Sequence, residues 1–187
     1  MKRKHQILTI PNLMSLFRLC LIPLIVWLYH KKEMYGLAAF ALVVSGITDV
    51  ADGIVARRFD MVSDFGKAFD PVADKLTQFA MLVCLAVRFQ WILVPMCLIL
   101  VKEIMTGILK VIVIRRTGIV EGADWHGKAT TVLLYIMIFL HLAWYDIPGV
   151  WSITLTALCT VMMVISFVLY GIRNLRILKE QKIHKNT

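Results

Sequence analysis

Six long apolar runs divide the chain of 187 residues. A helix needs about 20 mainly apolar residues to cross a bilayer, and each run is close to that length. Only short links separate the runs, so no stretch remains for a separate soluble domain. The sequence therefore predicts an all-α polytopic membrane protein, one transmembrane domain over residues 1–187 with six spans at residues 13–29, 34–56, 67–89, 91–114, 129–145 and 150–170.

The composition agrees with lipid as the main solvent of this chain. Hydrophobic residues make up 59% and charged residues 18%, whereas soluble domains carry about a quarter of charged residues. Residues 2–19 can form a short amphipathic lead-in at the cytoplasmic face, where span 1 begins. After the last span, residues 173–187 form a basic tail.

The net charge of +9 is distributed unevenly between the two sides of the predicted membrane. Basic residues cluster before span 1, after spans 2 and 4, and after span 6, and few lie on the opposite side. The positive-inside rule then places both termini in the cytoplasm. Basic residues there lie near anionic headgroups, so the charge does not require nucleic acid as a partner.

Half of the acidic residues, six of twelve, fall between Asp49 and Asp74, at the predicted cytoplasmic end of spans 2 and 3. Asp49 and Asp52 are three residues apart, and Asp70 and Asp74 are four apart, so each pair shares a helix face. If the two antiparallel helices face each other, four carboxylates converge, and they cannot all stay ionised in apolar surroundings without cations. Because the ligands are oxygens only, Mg²⁺ or Mn²⁺ fits better than zinc, and four carboxylates can hold two such ions.

Small residues accompany these carboxylates. Gly53 and Ala56 share the Asp49 side of span 2, and Gly66 lies one turn before Asp70. They leave room for a bulky ligand or for close approach of the helices. Arg57 is placed to pair with a phosphate.

Together these residues form the pattern Asp49-xx-Asp52-Gly53-xx-Ala56-Arg57-x8-Gly66-xxx-Asp70-xxx-Asp74. The pattern resembles the complete signature of the CDP-alcohol phosphotransferases, with all eight signature residues at the spacing of the family. The segments "IPNLMSLFR" and "DPVADK" further resemble its phosphatidylglycerophosphate synthase and cardiolipin synthase branch.

The resemblance implies a reaction and roles for these residues. Asp49, Asp52 and Asp70 would bind two divalent ions, and Asp74 would bind metal and act as general base on the acceptor hydroxyl. That oxygen would attack the β-phosphorus of CDP-diacylglycerol and release CMP. The resemblance also implies a homodimer in the cell membrane, with an active site that faces the cytoplasm. The residues implied for the CDP site are Asp52, Gly53, Ala56, Arg57, Gly66 and Asp70.

The expected acceptor is glycerol 3-phosphate, which gives phosphatidylglycerophosphate and needs a cationic pocket. Phosphatidylglycerophosphate synthases usually have Arg-Glu where this chain has Lys102-Glu103, and a basic residue where it has Thr130. The candidates for the pocket are Arg18, Lys102, Lys110, Arg115, Arg116 and Lys128.

Three other functions are open to a chain of this kind. A cardiolipin synthase of the same family would use phosphatidylglycerol as acceptor. A cation transporter would distribute its acids across the depth of the bilayer, whereas here they cluster at one end and Glu103 alone lies deep in a predicted span. An intramembrane prenyltransferase also uses aspartate pairs and Mg²⁺, but lacks the frame of Gly53, Ala56, Arg57 and Gly66.

Overall fold

Helices account for almost all of the structure, a computed structural model that describes residues 10–31, 34–58, 64–117 and 125–184. No strand occurs within these ranges, so the all-α prediction is confirmed for them. A short 3₁₀ helix, Gln90–Ile92, precedes the fourth α-helix. The α-helices are α1 (Ile10–His30), α2 (Tyr35–Arg58), α3 (Asp64–Ala86), α4 (Leu93–Thr117), α5 (Trp125–Ala143) and α6 (Gly149–His184).

Three of the described helices are long and apolar enough to cross a membrane, over Leu13–His30, Trp125–Ala143 and Gly149–Ile177. Helix α2 adds a shorter apolar stretch, Tyr35–Asp49. Charged residues lie within α3 and α4, which lowers the mean hydropathy of those helices. The apolar helical character is thus confirmed, and six crossings remain a prediction.

The described residues up to Phe89, together with Ile138–Ile147, form one compact unit, here called unit 1. Within it, α1 packs against both α2 and α3. Side chains such as Ile25 on α1, Ala38 on α2 and Leu85 on α3 are completely buried. Helix α1 is therefore the element that holds the two motif-bearing helices in place.

Aromatic and charged side chains close one end of unit 1. The Arg88 guanidinium lies 3.4 Å from the centre of the Tyr145 ring, and Tyr35 stacks on the same ring at 3.9 Å. Arg88 also pairs with Asp146 at 3.5 Å. Helix α2 begins here at Tyr35, about 20 Å along the helix from Asp49 at 1.5 Å per residue. This cluster and the motif therefore lie near opposite ends of α2.

The second compact unit, unit 2, contains Gln90–Met137 and the described residues from Pro148 onward. Helix α4 packs along α6, and the 3₁₀ helix contacts both. The indole Nε1 of Trp91 donates a hydrogen bond of 2.9 Å to Ser152 Oγ at the start of α6. Helix α6 continues to His184, so the described part of the predicted basic tail is helical.

Many large apolar side chains point outward from these helices, including Phe40, Ile47 and Val161. Water would disfavour such a surface, whereas lipid solvates it without cost. The buried positions remain sensitive to packing, because a protein interior has few voids. Truncation of a buried leucine and of an outward-facing leucine should therefore differ in their effect on stability.

We expect Leu85→Ala to lower the free energy of unfolding by about 2–5 kcal/mol, because Leu85 is fully buried and its truncation leaves a cavity. Leu37→Ala is the matched control, since 54% of Leu37 is exposed. Denaturant unfolding of both purified variants in the same detergent checks this. Equal losses for the two variants would contradict the packing described for unit 1.

Candidate active site

Asp49 lies on α2 and pairs with a buried arginine of α1. The distance from Arg18 Nη1 to Asp49 Oδ1 is 2.5 Å. The exposed fraction is 1% for the Arg18 side chain and 43% for that of Asp49. One carboxylate oxygen is thus held from inside the unit, while a large part of the side chain stays accessible to a ligand.

Asp74 lies on α3 and accepts a hydrogen bond from the same helix. Gln78 Nε2 donates to Asp74 Oδ2 at 2.9 Å, across one helical turn. Gln78 is completely buried, whereas Asp74 is half-buried. An ionised carboxylate only accepts hydrogen bonds, so the amide must present its NH₂ group to it.

All eight motif residues lie on α2 or α3, as the spacing predicted. The side chains of the six others lie outside the described residues, so their roles remain predictions. They are Asp52, Gly53, Ala56, Arg57, Gly66 and Asp70.

The described part of the motif fits a site for a hard divalent cation. Asp49 and Asp74 supply carboxylate oxygens, which Mg²⁺ and Mn²⁺ prefer. Asp49 pairs with the buried Arg18, and Asp74 accepts a hydrogen bond from the buried Gln78; a carboxylate has about four lone-pair sites in all. Among the described residues no three His, Cys, Asp or Glu side chains come together, so a complete ligand set would need the other two aspartates of the motif.

The structure separates the predicted acceptor residues into different surroundings. Arg18 belongs to unit 1 and pairs with Asp49. In unit 2, Lys102 is buried in α4, and Arg115 and Lys128 are exposed near the end of α4 and the start of α5. The Arg116 side chain lies outside the described residues.

Lys110, another predicted acceptor residue, lies near an aromatic ring of unit 2. Its Nζ lies 5.6 Å from the centre of the Tyr170 ring, and the guanidinium of Arg173 lies 4.8 Å from that ring. His126 is edge-on to Tyr170 at 6.0 Å, and its Nδ1 is 3.1 Å from Ser166 Oγ. Unit 2 therefore contains a cluster of cationic and polar groups around one aromatic ring.

Sequence reasoning missed several of these contacts. Gln78 stood four residues after Asp74, a spacing that brings side chains together on a helix, and this signal was available. The cluster around Tyr170 joins residues far apart in sequence, and spacing alone carries no signal for it. Arg18 was predicted to bind the acceptor, yet its described partner is a motif aspartate.

An open apolar groove runs along α2 beside Asp49. Its volume is about 530 Å³. Among its lining residues, Gly46 has no heavy atom within 4 Å of the position where a Cβ would lie. The lining residues are Val43, Gly46, Ile47, Ala51 and Ile54.

Comparison with known proteins places this geometry in context. The chain is 37% identical over 134 residues to a protein of Streptomyces coelicolor named cardiolipin synthase (CMP-forming), covering 67% of this chain and 61% of that one. It is 34% identical over 100 residues to the CDP-diacylglycerol–glycerol-3-phosphate 3-phosphatidyltransferase of Rickettsia typhi, covering 52% and 56%. The protein of that name in Escherichia coli is 27% identical over 169 residues, covering 84% and 92%.

The chain thus spans less than two thirds of the length of the first two of these relatives. The family model of CDP-alcohol phosphatidyltransferase, in contrast, matches residues 8–170, which include α1 to α5 and most of α6. Apolar helices and this match together indicate an integral membrane protein. The chain belongs to the CDP-alcohol phosphatidyltransferase family.

Proposed function

We propose that the protein transfers the phosphatidyl group of CDP-diacylglycerol to an alcohol and releases CMP. The observation that carries the proposal is the complete eight-residue motif on α2 and α3, inside the segment that matches the family. The two relatives named as phosphatidyltransferases and the one named as a cardiolipin synthase support it. The proposed domain is the whole transmembrane chain.

The chemistry requires a base and a means of neutralising the diphosphate. We assign Asp74 as the base that accepts the proton of the acceptor hydroxyl, while that oxygen bonds to the β-phosphorus and the bond to CMP breaks. Two divalent ions, when bound by Asp49, Asp52, Asp70 and Asp74, would neutralise negative charge on the diphosphate. Arg57 would pair with phosphate, and the small residues Gly53, Ala56 and Gly66 would admit the nucleotide.

The lipid part of the donor needs no pocket closed to the bilayer. The groove along α2 is apolar and open, and it begins within one helical turn of Asp49. An acyl chain beside α2 would remain in an apolar environment while the diphosphate reaches the carboxylates. The acyl chain therefore need not leave the bilayer for the reaction, and its contact with α2 is one of van der Waals packing.

Glycerol 3-phosphate is the proposed acceptor, and phosphatidylglycerol is the alternative. The cationic groups of unit 2 favour a phosphorylated acceptor, because Lys110 and Arg173 lie together at Tyr170 and Lys128 is exposed at the start of α5. Lys102, Arg115 and Arg116 remain further candidates. The relative of Streptomyces coelicolor keeps a cardiolipin synthase reaction as the second candidate.

The membrane arrangement belongs to the same proposal. We expect six crossings, both termini in the cytoplasm and an active site at the cytoplasmic surface of the cell membrane. The uneven distribution of basic residues supports this orientation. The resemblance to the family adds the expectation of a homodimer.

The reaction can be tested directly by release of CMP. Purified protein in nanodiscs with CDP-diacylglycerol should release CMP with glycerol 3-phosphate, lose that activity in excess EDTA and regain it with Mg²⁺ or Mn²⁺. Phosphatidylglycerol in place of glycerol 3-phosphate tests the alternative acceptor. Full turnover in excess chelator would contradict the metal-dependent mechanism. If neither glycerol 3-phosphate nor phosphatidylglycerol supported CMP release, the acceptor would have to be another alcohol.

Substitutions of aspartate to asparagine separate motif residues from their neighbours. Asp49→Asn, Asp52→Asn, Asp70→Asn and Asp74→Asn should each abolish turnover, because each removes a negatively charged ligand. Asp64→Asn is the matched control, since Asp64 begins α3 outside the motif and should retain most activity. An Asp64 variant as inactive as the Asp70 variant would refute the assignment of the ligand set.

Lys128→Ala should raise the KM for glycerol 3-phosphate about ten- to a hundredfold, because a charge-assisted phosphate contact contributes about 1.5–3 kcal/mol to binding. The KM for CDP-diacylglycerol should change little, because the motif holds the nucleotide. Lys31→Ala is the control, because Lys31 lies over the Trp27 ring of unit 1, just after the end of α1. Equal losses for donor and acceptor would exclude Lys128 from a specific acceptor site.

A further inference from the structure

Two motif aspartates are each held by a buried side chain that does not belong to the motif. Arg18 on α1 is 1% exposed and lies 2.5 Å from Asp49. Gln78 on α3 is completely buried and donates to Asp74 at 2.9 Å. We infer that Arg18 and Gln78 are positioning residues, which orient the first and last carboxylates of the motif for divalent metal ions; the inference rests on the proposed function.

The burial of Arg18 argues for such a role. A guanidinium removed from water loses its hydration, and a buried ion pair seldom repays that loss as stability. An apolar side chain at this position of α1 would pack without the cost. The carboxylate of Asp49, in contrast, keeps 43% of its side chain exposed. The pair thus has an inner member that is fixed and an outer member that can still receive a ligand.

The hydrogen bonding of Gln78 leads to the same conclusion. Its Oε1 is buried and accepts no hydrogen bond within the described part of the chain, so the amide is only partly satisfied. Buried polar groups without partners are rare and need a specific reason. The reason here is the NH₂ group of Gln78, because its hydrogen bond to Oδ2 fixes the rotation of the Asp74 carboxylate. Asp74 itself remains half-buried and reachable.

The two side chains act through different contacts, an ion pair from Arg18 and a hydrogen bond from Gln78. Arg18 links α1 to α2, whereas Gln78 acts within α3, one turn after its partner. Carboxylates that bind metals are commonly oriented by hydrogen bonds from outside the ligand set, and loss of such a partner typically costs about 10–100-fold in metal affinity. The same range is expected here if orientation is what these side chains contribute.

The test measures Mn²⁺ binding by electron paramagnetic resonance on the full-length protein in nanodiscs of zwitterionic lipid, without substrate. Zwitterionic lipid is required because anionic headgroups would bind Mn²⁺ themselves. Arg18→Met and Gln78→Met should each weaken Mn²⁺ binding by about 10–100-fold. Arg18→Lys keeps the charge but loses the planar donor geometry, and its affinity should lie between those of the wild type and Arg18→Met.

Two matched controls isolate the effect from general loss of stability. Arg88→Met removes a guanidinium from a different ion pair of unit 1, the pair with Asp146. Thr77→Val removes a buried hydroxyl at the position before Gln78. That hydroxyl donates a hydrogen bond to the Ala73 carbonyl. Both should bind Mn²⁺ as the wild type does, even where their melting temperatures fall.

The outcomes distinguish this inference from the proposed function. If the wild type binds no Mn²⁺, or Asp70→Asn binds it equally well, the metal site of the proposed function is wrong and the inference falls with it. If the wild type binds and Asp70→Asn does not, then unchanged or tighter binding by Arg18→Met and Gln78→Met overturns the inference alone. Should either methionine variant fail to fold, Arg18→Lys or Gln78→Asn decides, and affinity within twofold of the wild type overturns it.

Discussion

The need to stabilise negative charge beside lipid dominates the structure of unit 1. Asp49 lies at the end of the apolar part of α2, where a lone carboxylate would be poorly solvated. The buried guanidinium of Arg18 meets that need from α1. Because α1 also packs against α3, the helix that supplies the counter-charge also fixes the scaffold of the motif. Charge compensation and helix packing therefore depend on the same element.

The cationic groups described in unit 2 have different surroundings from Arg18 in unit 1. Its cations gather around the Tyr170 ring, where the π face attracts them without neutralising them. In unit 1, by contrast, the described contact of a buried cation is an ion pair between Arg18 and a neighbouring carboxylate, Asp49. The two units therefore differ in the contacts of their cations, an ion pair in unit 1 and contacts with an aromatic ring in unit 2.

The sequence predicted the helices and the motif well, because both follow from periodicity. Each predicted span lies largely within one described helix. The helix end at His184 was not foreseen, since an apolar run ends where lipid ends, but hydrogen bonding can continue a helix beyond it. The partner of Arg18 also escaped prediction, because a contact between two helices depends on their rotation and not on spacing. Gln78 could have been found from its distance to Asp74 along α3.

The pairing of Arg18 with Asp49 also has a consequence for biogenesis. A charged side chain that enters a bilayer alone costs about 2.5–3.5 kcal/mol on the scale of translocon insertion. Arg18 and Asp49 lie on consecutive helices, α1 and α2, and only four residues separate the end of α1 at His30 from the start of α2 at Tyr35. If the two helices leave the translocon as a hairpin, the opposite charges can meet before either is surrounded by lipid. The first two helices would then be a single unit of membrane insertion, assembled before α3 is synthesised and before any metal ion is needed.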